Sequence, residues 1–157
     1  MGLDELNYPI DLSGIYKTRV SIKKQVALAL QSEFEKLYGV YVPTEPLDLE
    51  ADAMASRALR NLVLDYLVYT EDPAWIDNAY YQLQASNNMS DAISALKCLV
   101  HSGTDYAQTI KGKILCDFYN RWKNEPLVVN RWFEVQATSP LPNTLEMIES
   151  LLNHPAF

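Results

Sequence analysis

His101, His154, Cys98 and Cys116 are the side chains here best suited to metal or nucleophilic chemistry. Ser102 follows His101 directly, but adjacent residues on a helix do not face each other, so the two form no nucleophile–base couple. His154 stands beside Pro155 near the last residue, Phe157, and a tail imidazole there is expected to be simply solvated. Neither histidine has a partner legible in the sequence, and partners decide which imidazoles act as acids or bases. The two cysteines fall on expected helices among apolar neighbours and read as buried free thiols in a reducing compartment. A disulfide or a metal pair is the weaker alternative, because no histidine completes a ligand pattern around them. Carboxylates are scattered without a cation-loop spacing, and nothing glycine-rich cradles a phosphate. No residue is therefore assigned a catalytic, cofactor-binding or metal-ligating role.

Binding is a separate question. Trp122, Trp132 and Phe133 lie in the aromatic run from Phe118 to Gln136. Such rings could line a peptide channel, but at helical spacing they are expected in the core. Arg121 and Arg131 flank them and could grip a carboxylate through two parallel N–H bonds. The plainer expectations are a salt bridge to a nearby glutamate or stacking on tryptophan. Arg57, Asn61 and Asp65 form an i, i+4, i+8 stripe, read as an internal hydrogen-bonded ladder or a solvated edge rather than a ligand-facing row. Lys23 and Lys24, the only adjacent Lys/Arg pair, are expected in solvent.

The elements that must position these side chains read almost entirely as helix. Strand-like alternation is never sustained and no Asn-Gly or Asp-Gly hairpin turn occurs. A first helix is expected from Leu12 or Ser13 to Tyr38, with Ile15, Ile22, Val26, Leu30 and Leu37 inward and Gly39 and Pro43 ending it. Tyr41-Val42 is expected against the core. Asp48 is read as the cap of a second helix over 49–70, with Ala55, Leu59, Leu62 and Tyr66 on its apolar face. Asp72-Pro73 opens a third, running to about Ala85. Asn88 with Asp91 resembles a capping box opening a fourth, which Gly103 stops. Thr104 opens a fifth carrying Ile110, Ile114, Phe118 and Trp122. Asn124-Glu125-Pro126 starts a sixth with Val129, Trp132, Phe133 and Gln136. After Pro140 and Pro142, Asn143 with Glu146 caps a seventh, with Leu145, Ile148 and Leu152 inward. The fold expected is all-α: about seven helices in an antiparallel helix-hairpin array of ARM/HEAT-like superhelical type. No period names a TPR, HEAT or ankyrin repeat.

The 157 residues fit a single helical domain, 1–157, that would bury about 68–70% of its unfolded surface. Hydrophobic residues at 48% and charged residues at 21% exclude a disordered chain. A net charge of −7 speaks against nucleic acid as a partner. No apolar stretch is long enough to span a membrane, and the acidic opening Met1-Gly2-Leu3-Asp4-Glu5 is no signal peptide. A cytoplasmic location is expected.

Five blocks together resemble one known family. They are Arg57-Ala58-Leu59-Arg60-Asn61; Asn88-Met89-Ser90-Asp91-Ala92 with Ala95-Leu96; the aromatic run from Phe118; Gln136-Ala137-Thr138-Ser139-Pro140; and His154-Pro155-Ala156-Phe157. In order and at family-like spacing, they make 9–157 similar to the first half of the C-terminal helical domain of bacterial-type M1 zinc aminopeptidases. The resemblance implies a larger parent that removes N-terminal residues from peptides, with this non-catalytic part helping to enclose the active site and restrict access. It implies zinc in the parent's catalytic domain, bound by His-Glu-x-x-His and a further Glu. This chain carries no such motif. In the family, the residues of this domain that approach the catalytic cavity lie largely beyond the position matching Phe157, so none is carried over.

The implied partners are the parent's remaining domains and, in the intact enzyme, peptide substrates. Surface that packs on those domains would be exposed in the chain alone, giving an apolar patch and a non-native dimer. The alternative reading is a stand-alone helical-repeat module that binds a protein or peptide, with polar caps at both ends.

Overall fold

The computed structural model describes residues 10–41 and 47–157, which form eight α-helices and one 3₁₀ turn without a strand. They are α1 (Leu12–Ala29), α2 (Gln31–Val40), α3 (Ala51–Leu67), α4 (Pro73–Ala85), α5 (Met89–His101), α6 (Asp105–Trp122), α7 (Pro126–Ala137) and α8 (Thr144–Leu151), with the 3₁₀ turn at Val68–Thr70. The all-α helix-hairpin array read from the sequence is the observed fold. Most starts have a local chemical cause. The Asp72 carboxylate accepts from the Ala74 N–H at 2.9 Å and Pro73 takes the first helical position. Asn88 Oδ1 accepts from the Asp91 N–H at 2.9 Å, and Thr104 Oγ1 from the Ala107 N–H at 3.4 Å.

Helix α5 is the hub and packs against α3, α4, α6 and α7. Leu64 and Leu67 of α3, Ala79 of α4, and Ala95, Leu96 and Leu99 of α5 are fully excluded from solvent. Each such leucine contributes about 1.5–3 kcal/mol. The alanines let α4 and α5 approach closely. Ile114 and Phe118 of α6 and Trp132 of α7 close the core from the other side, as their spacing predicts.

Several expectations are corrected. The first helix is two: the chain breaks at Leu30, whose backbone leaves helical geometry (φ −111°, ψ 15°). The break allows α1 to lie on α3 and the 3₁₀ turn while α2 packs along α3. Gly39 sits inside α2 rather than ending it. Val42 and Pro43 lie outside the described residues, and Tyr41 is half-buried. Ile15, Ile22 and Leu30 face solvent, while Val26 and Leu37 are half-buried.

Asp48 is not the cap of α3, which begins three residues later behind Glu50. Its carboxylate accepts from the Glu50 N–H at 2.8 Å, forming a local turn instead. The buried face of α3 is Arg60, Val63, Leu64 and Leu67, one residue away from the expected set, with Leu62 exposed. The shift arises because a charged residue, Arg60, occupies an interior position that pattern reading assigns to apolar neighbours. On α8, Leu151 is buried and Met147 packs on the core, while Leu145 and Leu152 are exposed. Asn143 stands at the cap position of α8 without a side-chain cap bond.

Candidate functional site

Residues from four helices meet in a buried polar network that no sequence motif announced as a unit. Asp91 on α5 is only 2% exposed. Its carboxylate accepts from Asn61 Nδ2 of α3 at 2.7 Å and from Asn88 Nδ2 at 2.8 Å. Gln82 Nε2 of α4 donates to Asn61 Oδ1 at 2.7 Å, and Tyr38 of α2 donates to Gln82 Oε1 at 3.2 Å. Beneath Tyr38 lies Arg60, its guanidinium carbon 4.4 Å from the ring centroid. Arg60 is 8% exposed, and its Nε and Nη1 have no hydrogen-bond partner among the described residues. Burial raises the Tyr38 pKa, opposed by the Arg60 charge. The network joins donors and acceptors from four helices around the buried Asp91 and Gln82, an arrangement that locks helix register.

The stripe Arg57, Asn61, Asp65 is therefore neither a mutual ladder nor a ligand row. Arg57 Nη1 donates to the Asp48 carbonyl at 2.5 Å, Asn61 joins the network, and Asp65 pairs with Lys23 at 2.5 Å. Lys23 is not in open solvent: it lies against the rings of Tyr66 and Tyr69, at 5.1 and 4.4 Å, and pins α1 to α3. Lys24 pairs with Glu71 at 2.7 Å.

His101 Nε2 lies 2.8 Å from the Val135 carbonyl. A carbonyl only accepts, so Nε2 carries the proton, and burial holds the imidazole pKa below its ordinary value. His154 is no solvated tail. Its ring packs at 4.8, 5.3 and 5.5 Å from Tyr119, Trp132 and Phe133, and Nδ1 accepts from the Ala156 N–H at 3.2 Å. Aromatic packing of the terminal segment overrides the solvation expected there. Cys98 is buried, and desolvation pushes its thiol pKa far up; Cys116, expected to be buried, is exposed on the outer side of α6. Both thiols are free.

The aromatic run divides between core and surface cleft. Trp132 is core, its indole N–H donating to the Leu115 carbonyl at 3.0 Å. Arg131 pairs with Glu134 at 2.6 Å, and the Arg121 guanidinium lies 5.2 Å from the Trp122 ring, so both arginines adopt the plainer expected roles. Arg121 and Trp122 nonetheless line a cleft of about 290 Å³ between the end of α4, the start of α5 and α6. A larger groove of about 800 Å³ lies between α1, the end of α3, the end of α5 and the α7–α8 connection. The Lys23–Asp65 pair occupies its wall, and His101 beside it is tied to Val135.

Among the described residues no group of three or more His, Cys, Asp or Glu side chains is placed to hold a metal ion. No helix among them is long and apolar enough to cross a membrane.

Comparison with known proteins extends the reading. Residues 3–157 match a family model described as a domain of unknown function (DUF3458_C), ARM repeats. The chain is 33% identical over 148 residues to aminopeptidase N of Haemophilus influenzae, covering 94% of this chain and 16% of that protein. It is 30% identical over 148 residues to aminopeptidase N of Escherichia coli, covering the same shares. The chain thus spans about a sixth of the length of these relatives. A crystal structure of Legionella pneumophila aminopeptidase A in complex with aspartic acid superposes with a TM-score of 0.77 over 97% of this chain and 18% of that one. At 24% identity that likeness shows the fold alone.

Proposed function

Because the chain belongs to the DUF3458_C family of ARM-repeat domains, we propose that it serves as a non-catalytic helical part of an aminopeptidase of the M1 zinc type. It forms the first half of that enzyme's C-terminal domain, helps enclose the active site and restricts which peptides enter. The observation that carries this reading is the alignment of 94% of the chain with 16% of aminopeptidase N. Enclosure contributes by excluding water and selecting by size, while metal and base stand elsewhere.

The zinc implied by this reading does not fit the described residues. No cluster of ligands is assembled, and both imidazoles are engaged, one on the Val135 carbonyl and one among aromatic rings. On this reading the metal and the catalytic base stand in another part of the parent. A cytoplasmic parent agrees with the two free thiols.

The test is the native size of the protein, probed in source cells with an antibody raised against the chain. A species several times heavier than 17.9 kDa, whose immunoprecipitate removes N-terminal residues from peptides and loses that activity to a chelator, is the expected result. A species at 17.9 kDa without peptidase activity overturns it and leaves a stand-alone helical module that binds a protein or peptide.

A further inference from the structure

The cleft of about 290 Å³ pairs an apolar floor with opposite charges on its rim. Phe118, Ala92 and Ile114 form buried floor, while Met89 and Trp122 are half-buried walls. Asp117 and Arg121 stand on the rim one helical turn apart on α6. Residues four apart on a helix lie on the same face, with Cβ atoms about 5–6 Å from each other.

Neither rim charge is consumed in an ion pair. The pairs among the described residues belong to Lys23, Lys24, Lys36 and Arg131. Arg121 instead lies over Trp122, leaving its N–H edge available. The cleft also meets two helix ends of opposite polarity. Helix α5 begins at Met89 on the wall, where its N-terminal end favours an anion although the buried Asp91 carboxylate in the same turn offsets part of that field; α6 ends at Trp122, where the Arg121 guanidinium itself meets the C-terminal field.

We propose that this cleft binds the zwitterion of a free α-amino acid with an apolar side chain. The carboxylate faces Arg121 and the start of α5, the ammonium faces Asp117, and the side chain enters between Trp122 and Met89. The volume suits one residue rather than an extended peptide. An internal peptide residue carries neither terminal charge, and a peptide terminus carries only one. The assignment stands on the cleft alone and does not depend on the aminopeptidase reading. Where that reading also holds, the enzyme's own released product is a source of the ligand.

The experiment titrates the full chain with L-leucine while following the Trp122 indole N–H and the Met89 and Ala92 amides by two-dimensional NMR. Saturable shifts confined to these groups, with affinity in the millimolar range, are expected. Leucinamide and N-acetyl-leucine, each lacking one charge, should bind about fivefold more weakly, as removal of one exposed charge contact predicts. Arg121→Gln and Asp117→Asn should each weaken L-leucine by a similar factor and leave distant resonances unchanged. No saturable shift at tens of millimolar L-leucine overturns the proposal. So does equal binding of the three ligands, which would make the cleft merely apolar. The ligand series needs no variant, so a substitution that disturbs folding does not blunt the test.

Discussion

Asp91 shows how much a single buried side chain organises here. It is 2% exposed and accepts from Asn61 and Asn88, which lie on different elements. The sequence marks it as the acid of a capping box, and Asn88 does cap α5. Its reach to Asn61, thirty residues earlier, has no local signature. Asp91→Ala removes the acceptor shared by the half-buried Asn61 and Asn88 amides and should destabilise the chain by about 1–3 kcal/mol, read as a lower urea midpoint at unchanged slope. His101 gives a pH dependence of definite sign. Burial lowers its folded-state pKa beneath the ordinary 6.5. The unfolded chain therefore takes up the proton first, and stability present above pH 6.5 is lost as pH falls through the folded-state value. Compared with His101→Gln, the unmodified chain should lose more stability between neutral pH and that value, measured by urea titrations at stepped pH. The cysteines separate as sharply. Iodoacetamide should modify Cys116 in the folded chain and reach Cys98 only on unfolding, counted by intact mass.

Helices were legible wherever a backbone cap or a proline announced them. Asp72-Pro73, Asn88 and Thr104 start α4, α5 and α6 at the expected places. Which face turned inward was legible only where burial was purely apolar. The α6 stack Ile114 and Phe118, and Val129 and Trp132 of α7, were readable because shape and hydrophobicity agree. Arg60 defeated the same reading on α3: its burial depends on the Tyr38 ring supplied by α2, which no local window contains. The break at Leu30 was equally hidden, since neither proline nor glycine marks it and tertiary packing sets it. The surface cleft was half legible: Arg121 and Trp122 were named from the sequence, whereas Met89 and Asp117 reach it only through the α5–α6 contact. The α6–α7 pair depends on Trp132, which is 6% exposed, donates to the Leu115 carbonyl and contacts Tyr119, Phe133 and His154. Trp132→Ala should cost about 3–5 kcal/mol. Trp132→Phe should recover part of that by refilling the cavity while losing the indole N–H bond to the Leu115 carbonyl. Denaturant titration of the three proteins ranks them, and equal losses for both variants would argue against a packing role.

The molecule as a whole carries an apolar stripe that its own helices leave uncovered. Ile15 and Ile22, seven residues apart on α1, are 37% and 56% exposed, and Leu30 beyond the helix end is 45% exposed. Pattern reading assigns this stripe to an interior, and the periodicity is real; within the described residues nothing packs over it. Of the 18 residues in α1 only Ala27 is buried, and the helix is tied down by the Lys23–Asp65 and Lys24–Glu71 pairs. Surface pairs of this kind contribute at most about 1 kcal/mol each. A helix held so lightly, with a row of branched side chains in water, should lower its free energy by meeting another apolar surface. In the isolated chain the available surface is a second copy, so sedimentation velocity should show association that grows with concentration. Ile15→Lys together with Ile22→Lys should shift the chain toward monomer while changing its unfolding free energy by no more than about 0.5 kcal/mol, the usual range for surface positions. A large loss of stability in that double variant would mean that the stripe packs within the chain after all. A chain that is monomeric at every concentration before and after the change would show that the stripe does not drive self-association.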